Sequence, residues 1–442
     1  MSSIDANMRR RVLVSTTIGN ALEWFDFIVF GLLASVIGKL FFPAGNPASS
    51  LLLIFATFGI AFVARPLGGL VFGLYADRFG RKRALVVMIT LMAVGTGLIG
   101  FLPTSSAIGL WAPLLLLVGR LIQGFSAGGE FGGASAMLIE FAPPGQRGRY
   151  GAFQMVSQGI AFVLGAITAT SLGTALSPEQ VENWGWRIPF IVGILIGPTG
   201  YYLRKKCVES PEFQSYLQEK QQRANSRRET PLSDLFRHYP RELFAAFCVI
   251  AAGTASTYVT SVFLPPYAAS ELRLSLLDAQ LGLLFVYLFF SILVVPIGAL
   301  SDRIGRRPVL VLGLMLNSVL FFVLLRQLVA EPTQLHLWQL QATTLLLSVV
   351  GVTPAFMTEI FPVGVRSTGA SLMYNLAVML FGGLAPFTNT WLVQVTGDLA
   401  APAYYIFFAT VVGLVGLAVY RPQSGQGPTA STVNVRAEAT TP

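Results

Sequence analysis

The chain is short of charge. Of its 442 residues only 12% are Asp, Glu, Lys or Arg, against about 25% in a soluble domain, so it could not cover a water-facing surface. It holds two cysteines, Cys207 and Cys248, far apart and without disulfide or metal-ligand spacing. The two histidines, His238 and His336, fall near the ends of apolar segments, so no imidazole relay crosses the apolar interior. Paired nucleophile and base, metal cluster and nucleotide loop are all missing from the pattern, and neither an enzyme nor a cofactor nor a metal site is expected. What abounds is apolar: 54% of the residues, with a mean hydropathy of +0.65. That excludes disorder except at the ends and makes lipid the solvent.

A spanning helix needs roughly 20 apolar residues. Twelve such segments follow one another, at about 12–38, 51–75, 84–103, 110–141, 150–176, 187–203, 241–269, 277–300, 308–329, 337–359, 367–392 and 402–420. The first follows Arg9, Arg10 and Arg11, like a signal peptide, but it is too long for an h-region, carries Glu23 and Asp26 and lacks a cleavage site. It reads as a retained first helix.

The basic excess, +9 net, would suggest nucleic acid in a soluble protein. Its placement says otherwise. If the N-terminus is cytoplasmic, 24 of the 30 basic residues fall inside and 4 outside, with Arg65 and Arg120 within spans. Basic loops stay on the cytoplasmic side, so both termini are expected there and no nucleic acid is expected as partner.

The longest polar stretch, 204–240, lies between six spans and six spans, and the tail 421–442 is expected to be disordered. Two motifs recur in one order. Gly73-Leu-Tyr-Ala-Asp77-Arg78-Phe-Gly80-Arg81-Lys82 returns as Gly298-Ala-Leu-Ser-Asp302-Arg303-Ile-Gly305-Arg306-Arg307, displaced by 225 residues. Glu140-Phe-Ala-Pro143-Pro-Gly-Gln-Arg147 returns as Glu359-Ile-Phe-Pro362-Val-Gly-Val-Arg366, displaced by 219. The chain therefore reads as two parallel six-helix repeats, 12–203 and 241–420, between an N-terminal stretch 1–11, a linker 204–240 and the tail.

At these residues the chain resembles the major facilitator superfamily over essentially its whole length. The resemblance implies an all-α membrane protein of twelve transmembrane helices. More narrowly, Gly19-Asn20-Ala-Leu-Glu23-Trp24-Phe25-Asp26-Phe27, Arg65-Pro66-Leu-Gly68-Gly69, Gly119-Arg120-Leu-Ile-Gln123-Gly124-Phe-Ser-Ala-Gly128-Gly129-Glu130 and Trp184-Gly185-Trp186-Arg187-Ile-Pro189-Phe190 resemble the metabolite–proton symporters. That family includes carriers for citrate, 2-oxoglutarate, shikimate and proline/betaine. Ile108-Gly-Leu-Trp111-Ala-Pro113 and Leu392-Val-Gln394-Val-Thr396-Gly397-Asp398 are most similar to citrate–proton symporters.

Charge inside the membrane is the informative feature, because an ionisable group at mid-bilayer costs roughly 2.5–3.5 kcal/mol on insertion scales. Asp26 lies about 21 Å along the first helix from Val12, and Arg120 about 15 Å down the fourth from Leu110, at 1.5 Å per residue. Asp26 and Glu23 can therefore meet Arg120 near a central cavity. One reading is proton coupling: an anionic substrate takes over Arg120, and the carboxylate that loses its partner binds a proton more readily. The other is a static pair fixing helices 1 and 4. Arg65 is either a second contact for a multiply charged anion or the partner of Glu130 or Asp77.

The resemblance places Asn20, Trp24, Gln123, Gln154, Gln158, Tyr258, Tyr287 and Asn375 on cavity-lining spans, where each binds substrate or makes an interhelical hydrogen bond. No mid-membrane charge falls in the second half, so coupling is expected in the first. The glycines 124, 128, 129, 132 and 133 read as close helix approach. Asp77 and Asp302, with Arg78, Arg81, Arg303 and Arg306, are expected to pair nearby or to face a helix N-terminus of the other half. Glu140 with Arg147, and Glu359 with Arg366, are expected as similar gating pairs.

The expected function is proton-coupled symport of an organic acid (citrate-like, or a dicarboxylate such as 2-oxoglutarate) by alternating access in an inner membrane. The partners are a small organic anion, protons and membrane lipid, and the chain is taken as a monomer. Two alternatives stay open: a carrier of another metabolite such as shikimate, proline or betaine, and a sensor that keeps the fold without transporting.

Overall fold

The computed structural model describes residues 6–43, 47–205, 208–222, 231–274, 276–332 and 335–420. The expected tail 421–442 and the linker residues 206–207 and 223–230 lie outside the described residues, as does Cys207. Among the described residues eleven helices are long and apolar enough to cross a membrane, and Gly185–Ile194 is a shorter apolar one. The twelve spans are α1 (Ala6–Leu32), α2 (Pro47–Phe79), α3 (Arg81–Phe101), α4 (Trp111–Glu140), α5 (Arg147–Ala175), α6 (Ile188–Lys205), α7 (Pro240–Phe263), α8 (Leu276–Ile304), α9 (Arg306–Ala330), α10 (Leu337–Glu359), α11 (Arg366–Thr396) and α12 (Pro402–Val419).

These segments are helical because lipid offers no partner for a peptide group, so each must bond within its own helix. The side chains sort accordingly. Large apolar residues such as Val63, Leu67, Phe101, Phe285 and Phe387 face outward, while small and polar ones such as Gly128, Ser135 and Asn375 are buried. From Gly128 to Glu140 every residue of α4 is buried.

Contacts follow one scheme twice. In the first half α1 packs on α5 and α6, α3 on α4 and α6, and α2 on α4. In the second α7 packs on α11 and α12, α9 on α10 and α12, and α8 on α10. The halves meet where α2 and α4 touch α11, and where α5 touches α8. Among the described residues two helices carry π-helical turns, Val259–Phe263 in α7 and Val378–Gly383 in α11. The linker is also helical, over Pro211–Gln222 and Pro231–His238.

Backbone-to-backbone approach holds the middle of the fold. A Cβ at Gly124 would run into the Ala61 carbonyl, and one at Gly128 into the Arg65 carbonyl, both on α2. From α11 the Asn375 amide donates to the Gly128 carbonyl at 2.5 Å and to the Ser371 carbonyl at 2.6 Å. In hydrocarbon, where no hydrophobic force draws helices together, such close packing and cross-helix bonding are what hold them. Gly128→Ala should therefore destabilise the protein by about 1–3 kcal/mol, as overpacking does. Thermal unfolding of the purified protein in detergent checks this, and an unchanged midpoint would contradict it.

Candidate functional site

The repeated loop motif explains itself at one end of the bundle, where α2 meets α3 and α8 meets α9. Gly73 brings α2 against α11, where a Cβ would lie 2.6 Å from the Thr368 Cα. Four residues on, and so on the same face, Asp77 accepts hydrogen bonds from the Ser367 and Thr368 amides at 3.1 and 2.8 Å and from the Thr368 hydroxyl at 2.7 Å. An acid from one half thus caps the first turn of a helix in the other. Asp302 does the same for α5, accepting from the Gly148 and Arg149 amides at 2.7 and 2.9 Å. Gly80 and Gly305, at φ +104 and +94, make the turns that start α3 and α9, and Arg81 and Arg306 then reach back to Asp77 (3.5 Å) and Asp302 (2.8 Å).

The acids that end α4 and α10 pair differently from the expectation. Glu140 contacts Arg81 at 3.3 Å and, across the halves, Arg366 at 2.8 Å, not Arg147. Glu359 binds Arg306 at 2.9 Å, not Arg366. The reason is geometric: each acid closes one helix and its expected partner opens the next, while the incoming α3, α9 and α11 present nearer guanidinium groups. Arg147 is taken instead by Glu212 of the linker, which also holds Arg366 at 2.8 Å. Arg78 and Arg303 are exposed, and among the described residues neither makes an ion pair in this latch. They stand one residue past the capping acids, about 100° round the helix.

The linker is a structural part of this cluster, which its polar composition did not reveal. Glu209 accepts from the Arg81 and Lys82 amides at 3.1 and 3.2 Å, capping α3. The Ser210 hydroxyl donates to Glu140. Phe213 is buried beneath the Arg81 guanidinium, whose carbon lies 4.3 Å from the ring centroid.

Between the halves lies a small cavity lined by Glu23, Trp24, Phe27, Arg65, Ala127, Glu130, Phe131 and Tyr374. The Arg65 guanidinium carbon sits 5.2 Å from the Trp24 ring centroid and 4.4 Å from those of Phe27 and Phe62, a favourable place for a buried cation. Phe62 meets Tyr258 of α7 edge-on at 5.9 Å. Phe131 of α4 stacks on Tyr374 of α11 at 3.7 Å, closing the cavity from the second half.

Asp26 and Arg120 lie elsewhere, which corrects their expected meeting in that cavity. Asp26 is buried against α3 and α6, beside Ile89, Met92, Ala93, Gly193 and Gly197. Its carboxylate accepts from the Thr96 hydroxyl. Gln123 donates to that hydroxyl at 2.9 Å, and Arg120 donates to Gln123 at 2.9 Å. The two charges are joined through two side chains, inside the first bundle. Arg120 is covered by Phe27 and Phe30, at 4.8 and 4.1 Å. The reason is azimuth: depth along each helix was legible, but the face each side chain takes was not.

Other candidates also sit apart from the lining. Asn20 and Gln154 bind each other across α1 and α5 at 3.1 Å, and the Asn20 amide also donates to Ser157. Asn375 is held by the α4 backbone as described above. Tyr287 stacks on Phe162 at 3.9 Å, and Gln158 approaches Tyr374. Of the substrate candidates Trp24 alone lines the cavity among the described residues, with the acid Glu23. Arg65 and Glu130, weighed mainly as structural partners, line it too. Arg65 does not pair with Asp77, which is engaged by Arg81 and the α11 amides.

A family model described as "Sugar (and other) transporter" matches residues 12–230, and one described as "Major Facilitator Superfamily" matches residues 245–439. The chain is 38% identical to the citrate-proton symporter of Klebsiella pneumoniae, covering 94% of this chain and 92% of that protein. It is 33% identical to the proline/betaine transporter of Escherichia coli (strain K12), covering 97% and 88%. Among solved structures it is similar to the proton:xylose symporter XylE, with a TM-score of 0.75 at 16% identity, covering 94% of this chain and 95% of that one. It is also similar to the human organic anion transporter MFSD10, with a TM-score of 0.64 at 15% identity, covering 93% and 99%.

The latch carries its own expected outcome. Removing one partner of a buried ion pair strands the other and costs about 3–5 kcal/mol. Glu140→Gln removes the acid shared by Arg81 and Arg366, leaving Arg81 with Asp77 and Arg366 with Glu212, and should loosen this end of the bundle. A cysteine placed at Thr368 in that background should label with a maleimide much faster than in the wild-type background, and equal labelling would contradict the latch.

Proposed function

The chain belongs to the major facilitator superfamily, and we propose that within it the protein is a proton-coupled symporter of an organic acid, working by alternating access. The observation that carries the reading is a buried guanidinium, Arg65, lining the cavity between the halves, beside a bundle interior that holds Asp26 and Arg120 in one hydrogen-bonded chain. A guanidinium suits a carboxylate bidentately, so Arg65 is the group an organic acid meets. Asp26 is the proton carrier, with Glu23, which borders both spaces, as second acid.

The sign of the coupling follows. With no substrate bound, Arg120, joined to Asp26 through Gln123 and Thr96, and Arg65 beyond the Phe27 ring leave the region around Asp26 positively charged. A substrate carboxylate on Arg65 cancels part of that field, so Asp26 takes up a proton more readily. By linkage the proton favours the substrate equally. The 24-to-4 basic asymmetry orients the carrier in a bacterial plasma membrane with both termini in the cytoplasm. The latch of Asp77, Asp302, Glu140 and Arg366 then closes the cytoplasmic end, and alternating access requires it to break as the halves rock.

One observation favours a second substrate class. Trp24, Phe27, Phe131 and Tyr374, with Glu23 and Glu130, would also hold a quaternary ammonium, and a zwitterion such as betaine would set its carboxylate on Arg65. Uptake into proteoliposomes under an imposed pH gradient, with citrate, 2-oxoglutarate, shikimate, proline and betaine in competition, separates the two. The organic acids should accumulate and compete; accumulation of betaine or proline alone would select the second reading, and no uptake or counterflow of any of them would favour a sensor. Asp26→Asn should abolish pH-driven accumulation while retaining substrate exchange. Full accumulation with undiminished proton uptake in that variant would remove Asp26 from its role.

A further inference from the structure

Phe27 stands at the boundary between the cavity and the interior of the first bundle. Its ring lines the central cavity, where Arg65 lies 4.4 Å from its centroid, yet it also covers Arg120 at 4.8 Å. Arg120, buried completely, is not part of that cavity lining, and its hydrogen-bonded chain leads away from it to Asp26. One ring thus serves two guanidinium groups, one facing the space between the halves and one in the interior of the first bundle. Phe30 covers Arg120 at 4.1 Å, and Trp24 and Phe62 flank Arg65, while the Phe27 ring is shared by both cations.

We propose that Phe27 is the partition that keeps the substrate space from joining the chain of Arg120, Gln123, Thr96 and Asp26 at its Arg120 end while letting the two guanidinium charges sense one another. Glu23, which lines both the cavity and the space beside Asp26, is the acid at the other boundary. The proposal rests on the symport reading above. A symporter must meet two demands. Substrate binding must alter the field at the proton carrier, and water must not run continuously from the substrate space to that carrier, or protons cross unaccompanied. An aromatic ring meets both. It excludes water, and a few ångströms of low-permittivity hydrocarbon transmit a field better than water does. The ring also steadies both cations, since each guanidinium lies within cation–π distance of it. The charged and titratable groups around it are Glu23 on the same helix, Arg65 on α2, Arg120 and Glu130 on α4, and Tyr258 and Tyr374 from the second half. Phe27 is on this account a positioning residue, acting through Arg65 and Arg120.

The test uses the full-length protein in proteoliposomes, with citrate as the probe and three measurements: substrate exchange, accumulation under an imposed pH gradient, and proton influx without substrate. In Phe27→Ala the ratio of accumulation to exchange should fall about tenfold or more, the scale of a typical coupling free energy, and protons should enter without citrate. Phe27→Trp, which keeps a ring, should restore tight coupling, whereas Phe27→Leu should leak if Phe27→Ala fails to insert. An unchanged ratio with no proton influx in the alanine and leucine variants would overturn the proposal. So would a proportional loss of exchange and accumulation without a leak, which would make Phe27 a substrate contact only. A wild-type protein that accumulates none of the organic acids under the gradient would instead remove the symport reading itself.

Discussion

A carboxylate that leaves its own helix to cap a helix in the other half is the interaction on which the rest of this structure depends. It is made twice, by Asp77 on α11 and by Asp302 on α5. Each acid satisfies amides that have no partner within their own helix, and does so at the joint between the two halves. With both caps formed, α2 and α4 are drawn against α11, Asn375 reaches the backbone of Gly128, and Phe131 stacks on Tyr374. The closed end and the small cavity between the halves are two results of one closure.

That closure is symmetric in its caps and asymmetric in its ion pairs. Arg81 with Glu140 repeats as Arg306 with Glu359. Among the described residues the cross-half pair of Glu140 with Arg366 is not repeated, because the linker's Glu212 takes Arg147. Glu212 holds both Arg147 and Arg366, and Glu209 caps α3. A segment present once in a chain of two repeats thereby adds contacts to one side of the latch.

Much of this was legible in the sequence. A carboxylate four residues after a glycine, followed by a turn glycine and a basic residue, is a complete local device, and its recurrence marked both halves of the fold. Buried charge at mid-depth drew notice to Asp26 and Arg120 because lipid makes such residues costly. Other features left weaker signals. The π-helical turns of α7 and α11 sit in runs whose composition is ordinary for a span. The linker helix Pro211–Gln222 reads as polar, and its buried Phe213 and its bridging Glu212 become visible only once there is a surface to dock on. The stretches most similar to citrate–proton symporters, around Trp111 and Asp398, lie outside the cavity lining: Trp111 is 69% exposed, and Asp398 is engaged by Arg326 and Tyr404.

The sequence by itself determined the succession of apolar segments, the recurrence of one loop motif in each half and the position of each buried charge along its helix. All of these follow from lengths and spacings along a helix of known rise. Tertiary structure alone decided which face each charge takes. It set Arg65 rather than Arg120 on the cavity, joined Asp26 to Arg120 through Thr96 and Gln123, and tied Asn20 and Gln154 to each other. The physical reason is that in hydrocarbon a helix has no polar solvent to tell its inner face from its outer one. A side chain's direction is settled by which neighbouring helix can pack closely enough, or bond well enough, to receive it.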